Sequence, residues 1–274
     1  MFNQYRPSGF LGLTPIVKNL LIINGLFFLA TISVYKFTRG DVDLNQYLAL
    51  YFPASDNFRT WQLVSYLFMH GNFGHLFFNM FALWMFGNVL EQVWGPRRFL
   101  TYYVITGIGA GIIHLLVIWY SYANMMDAIA VFQSNPGPAV FETLIRDNFS
   151  GIYNPEWLSQ ISNLWAAQPT NPEYIQQAHL AIQNLVQAKI SIPTVGASGA
   201  VFGMLLAFGM LFPNSIIYLY FAIPIKAKYF VILYGAIELY FGIANSAGDN
   251  VAHFAHLGGM IFGFFMIKLW KEKY

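Results

Sequence analysis

Five side chains in this sequence could do chemistry together, and they come from three separated stretches. The first is Ser198, in Val195-Gly196-Ala197-Ser198-Gly199-Ala200-Val201-Phe202-Gly203. A serine among Gly and Ala at a helix start can be approached closely. Its backbone N–H belongs to the donors that a helix leaves unpaired at its N-terminus, and those donors suit a developing negative charge. On its own the stretch reads sooner as a packing turn at the head of an apolar helix. The second is His256, in Ala255-His256-Leu257-Gly258-Gly259-Met260-Ile261-Phe262-Gly263. Serine needs a base to be nucleophilic at neutral pH, and histidine is the usual one. The third holds His70, His75 and Asn79. His75 and Asn79 are four residues apart and share one helix face. Both could donate to an oxyanion alongside the Ser198 N–H. His70 sits off that face and reads as ordering the preceding loop.

Other groups fit less well. His253, one turn before His256, reads as a supporting or interfacial residue. His114 and His179 read as structural. Asp249 and Glu238 are the nearest acids before the last span, but neither spacing demands contact with His256, so a Ser-His dyad is the expectation. Four histidines could in principle hold zinc, but there is no HExxH and no neighbouring carboxylate. No metal and no cofactor are expected. The serine motif also lacks the closing glycine of the nucleophile elbow and the strand–helix alternation around it.

What positions these groups is set by composition. The chain of 274 residues is 57% hydrophobic, 19% aromatic and 9% charged, against about 25% charged in soluble domains. This describes an all-α, multi-pass membrane protein. A net charge of +2 gives no basis for nucleic-acid binding. Without cysteine there is no thiol nucleophile and no disulfide.

Six spans are expected, at about 16–35, 64–90, 99–120, 198–212, 229–244 and 252–269. Residues 1–15 and 271–274 form tails around a core over 16–270, interrupted by a polar insertion at 121–192. With an even number of spans both termini share one side. Arg6, Lys18, Arg97, Arg98, Lys226, Lys228, Lys268, Lys271 and Lys273 fall on that side, against Lys36, Arg39, Arg59, Arg146 and Lys189 over longer loops. This distribution predicts cytoplasmic termini. Ser198, His75 and His256 then lie toward the outer side. The fourth span, at about 22 Å, is shorter than the ~30 Å hydrocarbon core, so Ser198 sits below the outer surface. Irregular backbone at that depth requires a protein-lined or water-filled cavity.

The insertion repeats one device, Asn154-Pro155-Glu156-Trp157 and Asn171-Pro172-Glu173-Tyr174. Asn as cap, Pro in the first turn and an acid behind it start a helix. The apolar stripes that follow predict two amphipathic helices lying on or near the outer membrane surface.

Taken together, these residues resemble the rhomboid family of intramembrane serine proteases. The motifs are Gly196-Ala197-Ser198-Gly199 at the head of a span, His70 followed by His75-Leu76-Phe77-Phe78-Asn79, and Ala255-His256-Leu257-Gly258-Gly259 ending at Gly263. The resemblance covers about 55–270, with Trp61-Gln62 where the family has Trp-Arg. It implies a six-transmembrane-helix rhomboid-like bundle in the basic bacterial form, set in the inner membrane. Ser198 is then the nucleophile and His256 the base. His75, Asn79 and the Ser198 N–H form the oxyanion hole, and Phe202 stacks on the histidine. Gly196, Gly199 and His70 support the site. Single-span membrane proteins entering between spans 2 and 5 are the implied substrates. The alternative is a non-catalytic relative that binds or escorts membrane helices.

Overall fold

The computed structural model describes residues 12–219, 222–244 and 252–271. The tails' residues 1–11 and 272–274 lie outside it, as does Asp249. The described chain is a helical membrane bundle. In order it forms α1 (Pro15–Phe37), α2 (Leu44–Leu48), α3 (Gln62–Ser65), α4 (Phe73–Ala82), α5 (Asn88–Trp94) and α6 (Pro96–Ser134). Then follow α7 (Pro138–Asn148), α8 (Pro155–Ala167), α9 (Pro172–Ile190) and α10 (Ser198–Leu211). A hairpin of β1 (Ile216–Leu219) and β2 (Ile223–Lys226) precedes α11 (Ala227–Ala244) and α12 (His253–Lys271).

Four described stretches are long and apolar enough to cross a membrane: α1, Phe73–Trp94, α6 and α11. Within the second, a π turn at Leu83–Gly87 joins α4 to α5. Leu26 and Leu29 of α1, Leu116 and Trp119 of α6, and Ile232 and Ile243 of α11 are exposed. Side chains of this kind are stable facing lipid.

The central helix is α10, packed against α6, α11 and α12. It carries almost no polar side chain, because nearly every face is covered by protein. Residues 199–205 are all buried. Tyr102 of α6 donates to the Gly203 carbonyl at 2.8 Å, tying α10 to its neighbour at mid-depth.

The start of α1 is held from below. The Glu91 carboxylate accepts from the backbone N–H of Ile16 at 3.0 Å and of Val17 at 2.9 Å. The Asn88 side-chain Oδ1 accepts from the Thr14 N–H and hydroxyl. A buried helix end needs such partners, and an ionised acceptor makes them strong. Glu91→Ala is therefore expected to destabilise the fold by about 3 kcal/mol, the scale of two charge-assisted bonds lost at a buried site. Thermal melting in detergent measures this; an unchanged midpoint would refute it.

The insertion differs from expectation in two ways. First, α6 does not stop near residue 120. No Gly or Pro follows Gly111 until Pro136-Gly137-Pro138, so the helix continues to Ser134. At 39 residues it is about 58 Å long, nearly twice the hydrocarbon core. Second, α8 and α9 do not turn their stripes to an open surface. Leu158, Trp165, Ala178 and Ile182 are buried with Met125, Ile129 and Phe132 of α6 and Phe141 and Leu144 of α7. The apolar stripes bury one another around the protruding end of α6, which offers a preformed wall. Both expected caps form: Asn154 accepts from the Glu156 N–H at 2.8 Å and Asn171 from the Glu173 N–H at 3.0 Å. Helix α7 adds a further wall, and Lys189 of α9 donates to the Asn148 carbonyl at its end. Burial lowers the pKa of that ammonium. His179 packs edge-on to Phe132 in this unit, a structural place as expected.

Between the expected spans at 198–212 and 229–244 lies the antiparallel hairpin, with Ile216 opposite Lys226 and Leu219 opposite Ile223.

Candidate active site

Three local devices deliver Ser198. The segment before it pairs with the first loop through Leu50 and Thr194, whose N–H and C=O groups exchange bonds of 2.9 and 2.8 Å. The Gly196 N–H donates to the Tyr66 carbonyl at 2.9 Å. Gly196 itself has φ +125°, a region that favours glycine. A Cβ there would also stand 2.8 Å from the His75 ring. Backbone conformation and space thus both demand glycine. The helix then begins at Ser198.

The first loop is anchored despite Gln62 standing where the family has arginine. Gln62 is fully buried. Its Oε1 accepts from the Arg59 N–H at 3.0 Å and the Tyr51 N–H at 3.3 Å. Its Nε2 donates to the Asn57 carbonyl at 2.8 Å. Trp61 donates to the Tyr47 carbonyl at 3.0 Å. An uncharged side chain with both a donor and an acceptor does this work inside the loop.

His256 comes from α12, which crosses α10 at two pairs of glycines. A Cβ on Gly259 would run into the Gly199 carbonyl, and Gly263 lies against Gly203. Backbone approaches backbone, as small residues spaced by four allow. The result is a hydrogen bond of 2.8 Å between His256 Nε2 and Ser198 Oγ. Phe202, one turn beyond the serine, lies flat on the His256 ring, with centroids 4.2 Å apart and planes 5° from parallel. The imidazole is thereby restricted to rotation within one plane.

The other nitrogen of His256 has a partner that sequence reasoning set aside. Nδ1 of His256 lies 2.7 Å from Glu238 Oε2 of α11, and Nδ1 of His253 lies 2.6 Å from the same oxygen. Glu238 is only 5% exposed. Beside the expected pair, Glu238 joins Ser198 and His256 in one chain of hydrogen bonds, and His253 joins it at the same oxygen. Apart from Lys228 in its first turn, α11 carries no other charged residue, and an acid inside such a helix is itself a signal of function. That signal could have found Glu238.

His75 and His70 lie edge-on to each other, with ring centroids 5.2 Å apart. His75 follows the cap of α4, where the Asn72 side chain accepts from the His75 N–H at 2.8 Å. Asn79, one turn on, is buried, and its Nδ2 has no hydrogen-bond partner among the described residues. A buried donor left unmade costs about 1–3 kcal/mol, so such a group points to a ligand or a reaction state that satisfies it. His70 is buried, with Nδ1 3.4 Å from the Phe68 carbonyl. His114 is on α6, and its Nδ1 has no hydrogen-bond partner among the described residues. Glu238, His253 and His256 are the one group among the described residues with metal-ligand proximity, their ligand atoms within 4.8 Å of one another. Those same atoms are engaged with each other by the bonds above.

A family model described as the Rhomboid domain matches residues 57–132 and 174–272. The chain belongs to the rhomboid family. The match omits 133–173, so α7 and α8 stand outside the shared rhomboid core. An uncharacterized mitochondrial rhomboid protein of Schizosaccharomyces pombe is 29% identical over 221 residues, covering 78% of this chain and 53% of that protein. A Yersinia pestis protein named Rhomboid protease GlpG is 26% identical over 177 residues, 65% of this chain and 58% of its own length. Rhomboid-like protein 11, chloroplastic, of Arabidopsis thaliana is 35% identical over 77 residues, 28% of each. The chain thus spans little more than half of the first two relatives. Rhomboid membership and the run of apolar helices make it a multi-pass membrane protein.

Proposed function

We propose that this protein is an intramembrane serine endopeptidase in which Ser198 is the nucleophile and His256 the general base. The observation that carries the reading is the 2.8 Å bond between Ser198 Oγ and His256 Nε2 at the head of a buried helix. Attack forms a bond from Oγ to the substrate carbonyl carbon while the hydroxyl proton passes to Nε2. Collapse expels the amine, which takes that proton. Water then hydrolyses the acyl-enzyme by the same route in reverse. The Ser198 N–H, His75 and Asn79 receive the oxyanion, and the unmade Asn79 Nδ2 bond supports that role. No metal is needed for these steps. Loss of fluorophosphonate labelling in Ser198→Ala tests the reading: labelling that persists rejects Ser198 as the nucleophile, and a wild type that does not label favours a helix-binding relative.

The proposed substrates are single-span membrane proteins. They enter between the span of α4 and α5 and the span of α11, where Phe73, Phe77 and Phe78 on one side and Tyr240 and Ile243 on the other are exposed. The basic residues support six spans with both termini in the cytoplasm of a bacterial inner membrane. The chain has no cysteine, so single introduced cysteines report orientation cleanly. Lys228→Cys is expected to be shielded from an impermeant maleimide in intact cells, and Leu164→Cys, exposed on α8, to react. The reverse pattern overturns the orientation.

A further inference from the structure

We propose that Glu238 is a positioning residue of the catalytic chain: through Oε2 it holds the Nδ1–H of His256, leaving the Nε2 lone pair for the Ser198 proton. This rests on the Ser198–His256 reading above. A carboxylate accepts and cannot donate. Each ring nitrogen at 2.6 and 2.7 Å from Oε2 must therefore be the donor. With the proton of His256 on Nδ1, Nε2 is the atom free to take the hydroxyl proton, and it faces Ser198 Oγ. A ring whose tautomer is left unset spends part of its time with Nε2 protonated and useless as a base.

Two restraints act on the same ring from different directions. Phe202 fixes its plane, and Glu238 fixes its rotation within that plane and the position of its proton. Glu238 reaches the ring from α11, whereas the base is on α12 and the nucleophile on α10. The catalytic geometry therefore depends on three helices staying in register. His253, one turn before His256, bonds the same oxygen and stacks on Phe241 of α11. It keeps the carboxylate between the two helices. The carboxylate also stabilises the imidazolium formed when the serine gives up its proton. The proton stays on Nε2 until the leaving amine takes it, and Glu238 is not protonated at any step.

The test uses the full-length protein in detergent with a cleavable single-span substrate. Glu238→Gln keeps the side-chain length and an accepting oxygen but removes the charge. Its kcat is expected to fall by tenfold or more, toward the ~10^4-fold known for such a change in a serine protease triad. KM should stay within about twofold, because Glu238 does not touch substrate. A kcat within about twofold of wild type overturns the proposal. So does a loss carried by KM. If Glu238→Gln does not fold, the unaltered protein answers through histidine-selective nitrogen-15 NMR. His256 should carry its proton on Nδ1, and a proton on Nε2 in the resting enzyme overturns the proposal. Ser198→Ala separates the two levels. If it still reacts with fluorophosphonate, the underlying reading has failed. If it does not react and Glu238→Gln keeps full kcat, only this inference has failed.

Discussion

Ser198→Ala is expected to abolish covalent labelling by a fluorophosphonate and to lower substrate cleavage by about 10^4-fold or more, the scale seen when a serine nucleophile is removed. His256→Ala should fall to the same floor, because the two groups act as one unit. The double variant should be no worse than either single one. This non-additivity separates a catalytic pair from two independent packing defects. The 2.8 Å bond between them predicts it, since neither side chain has a catalytic use without the other. The fold should survive: Ser198 is at a helix start where alanine fits, and the backbone bonds of Gly196 and Thr194 hold the turn. Melting in detergent close to wild type would confirm that the loss is chemical. Labelling that persists in Ser198→Ala would remove the protease reading.

The second large effect concerns a residue that performs no chemistry. Gly259→Ala adds one methyl group, which would lie against the Gly199 carbonyl of α10. The contact is backbone, so nothing flexible can swing aside, and α10 and α12 must separate. Overpacking of this kind costs about 1–3 kcal/mol. The functional loss is expected to be larger, about 10^2-fold in labelling rate, because a shift near 1 Å between nucleophile and base breaks their alignment. Gly25→Ala on α1 is the matched control, as a Cβ there meets nothing within 4 Å. It should leave both quantities unchanged. Wild-type labelling in Gly259→Ala would show that the helix contact does not set the geometry.

Much of the site was legible because it rests on short-range patterns. Gly196 before Ser198, and Gly199 and Gly203 matched by Gly259 and Gly263, are constraints that a few consecutive residues express. His75 and Asn79 at a spacing of four define one helix face. The Asn-Pro-Glu starts of α8 and α9 are local too, and both caps form as read. Where the stripes of those helices point is different. A stripe states that a face must be covered and not by what. Here the extended end of α6 and the helix α7 cover it, where an outer membrane surface was expected.

Glu238 marks the same boundary inside the site. Its distance along the chain from His256 carries no geometric information, because the two residues lie on different helices. The first loop shows the converse: Gln62 departs from the family's arginine, and burial among backbone groups lets an amide make the bonds. By itself the sequence determined the solvent, the helical class, the glycine turn at the serine and the serine and histidine proposed here as nucleophile and base. These follow from composition and from spacings within one helix. Only the tertiary structure decided which acid meets the histidine and what the insertion packs against. Each of those depends on how separate helices are placed in three dimensions, and no local pattern along one helix records that.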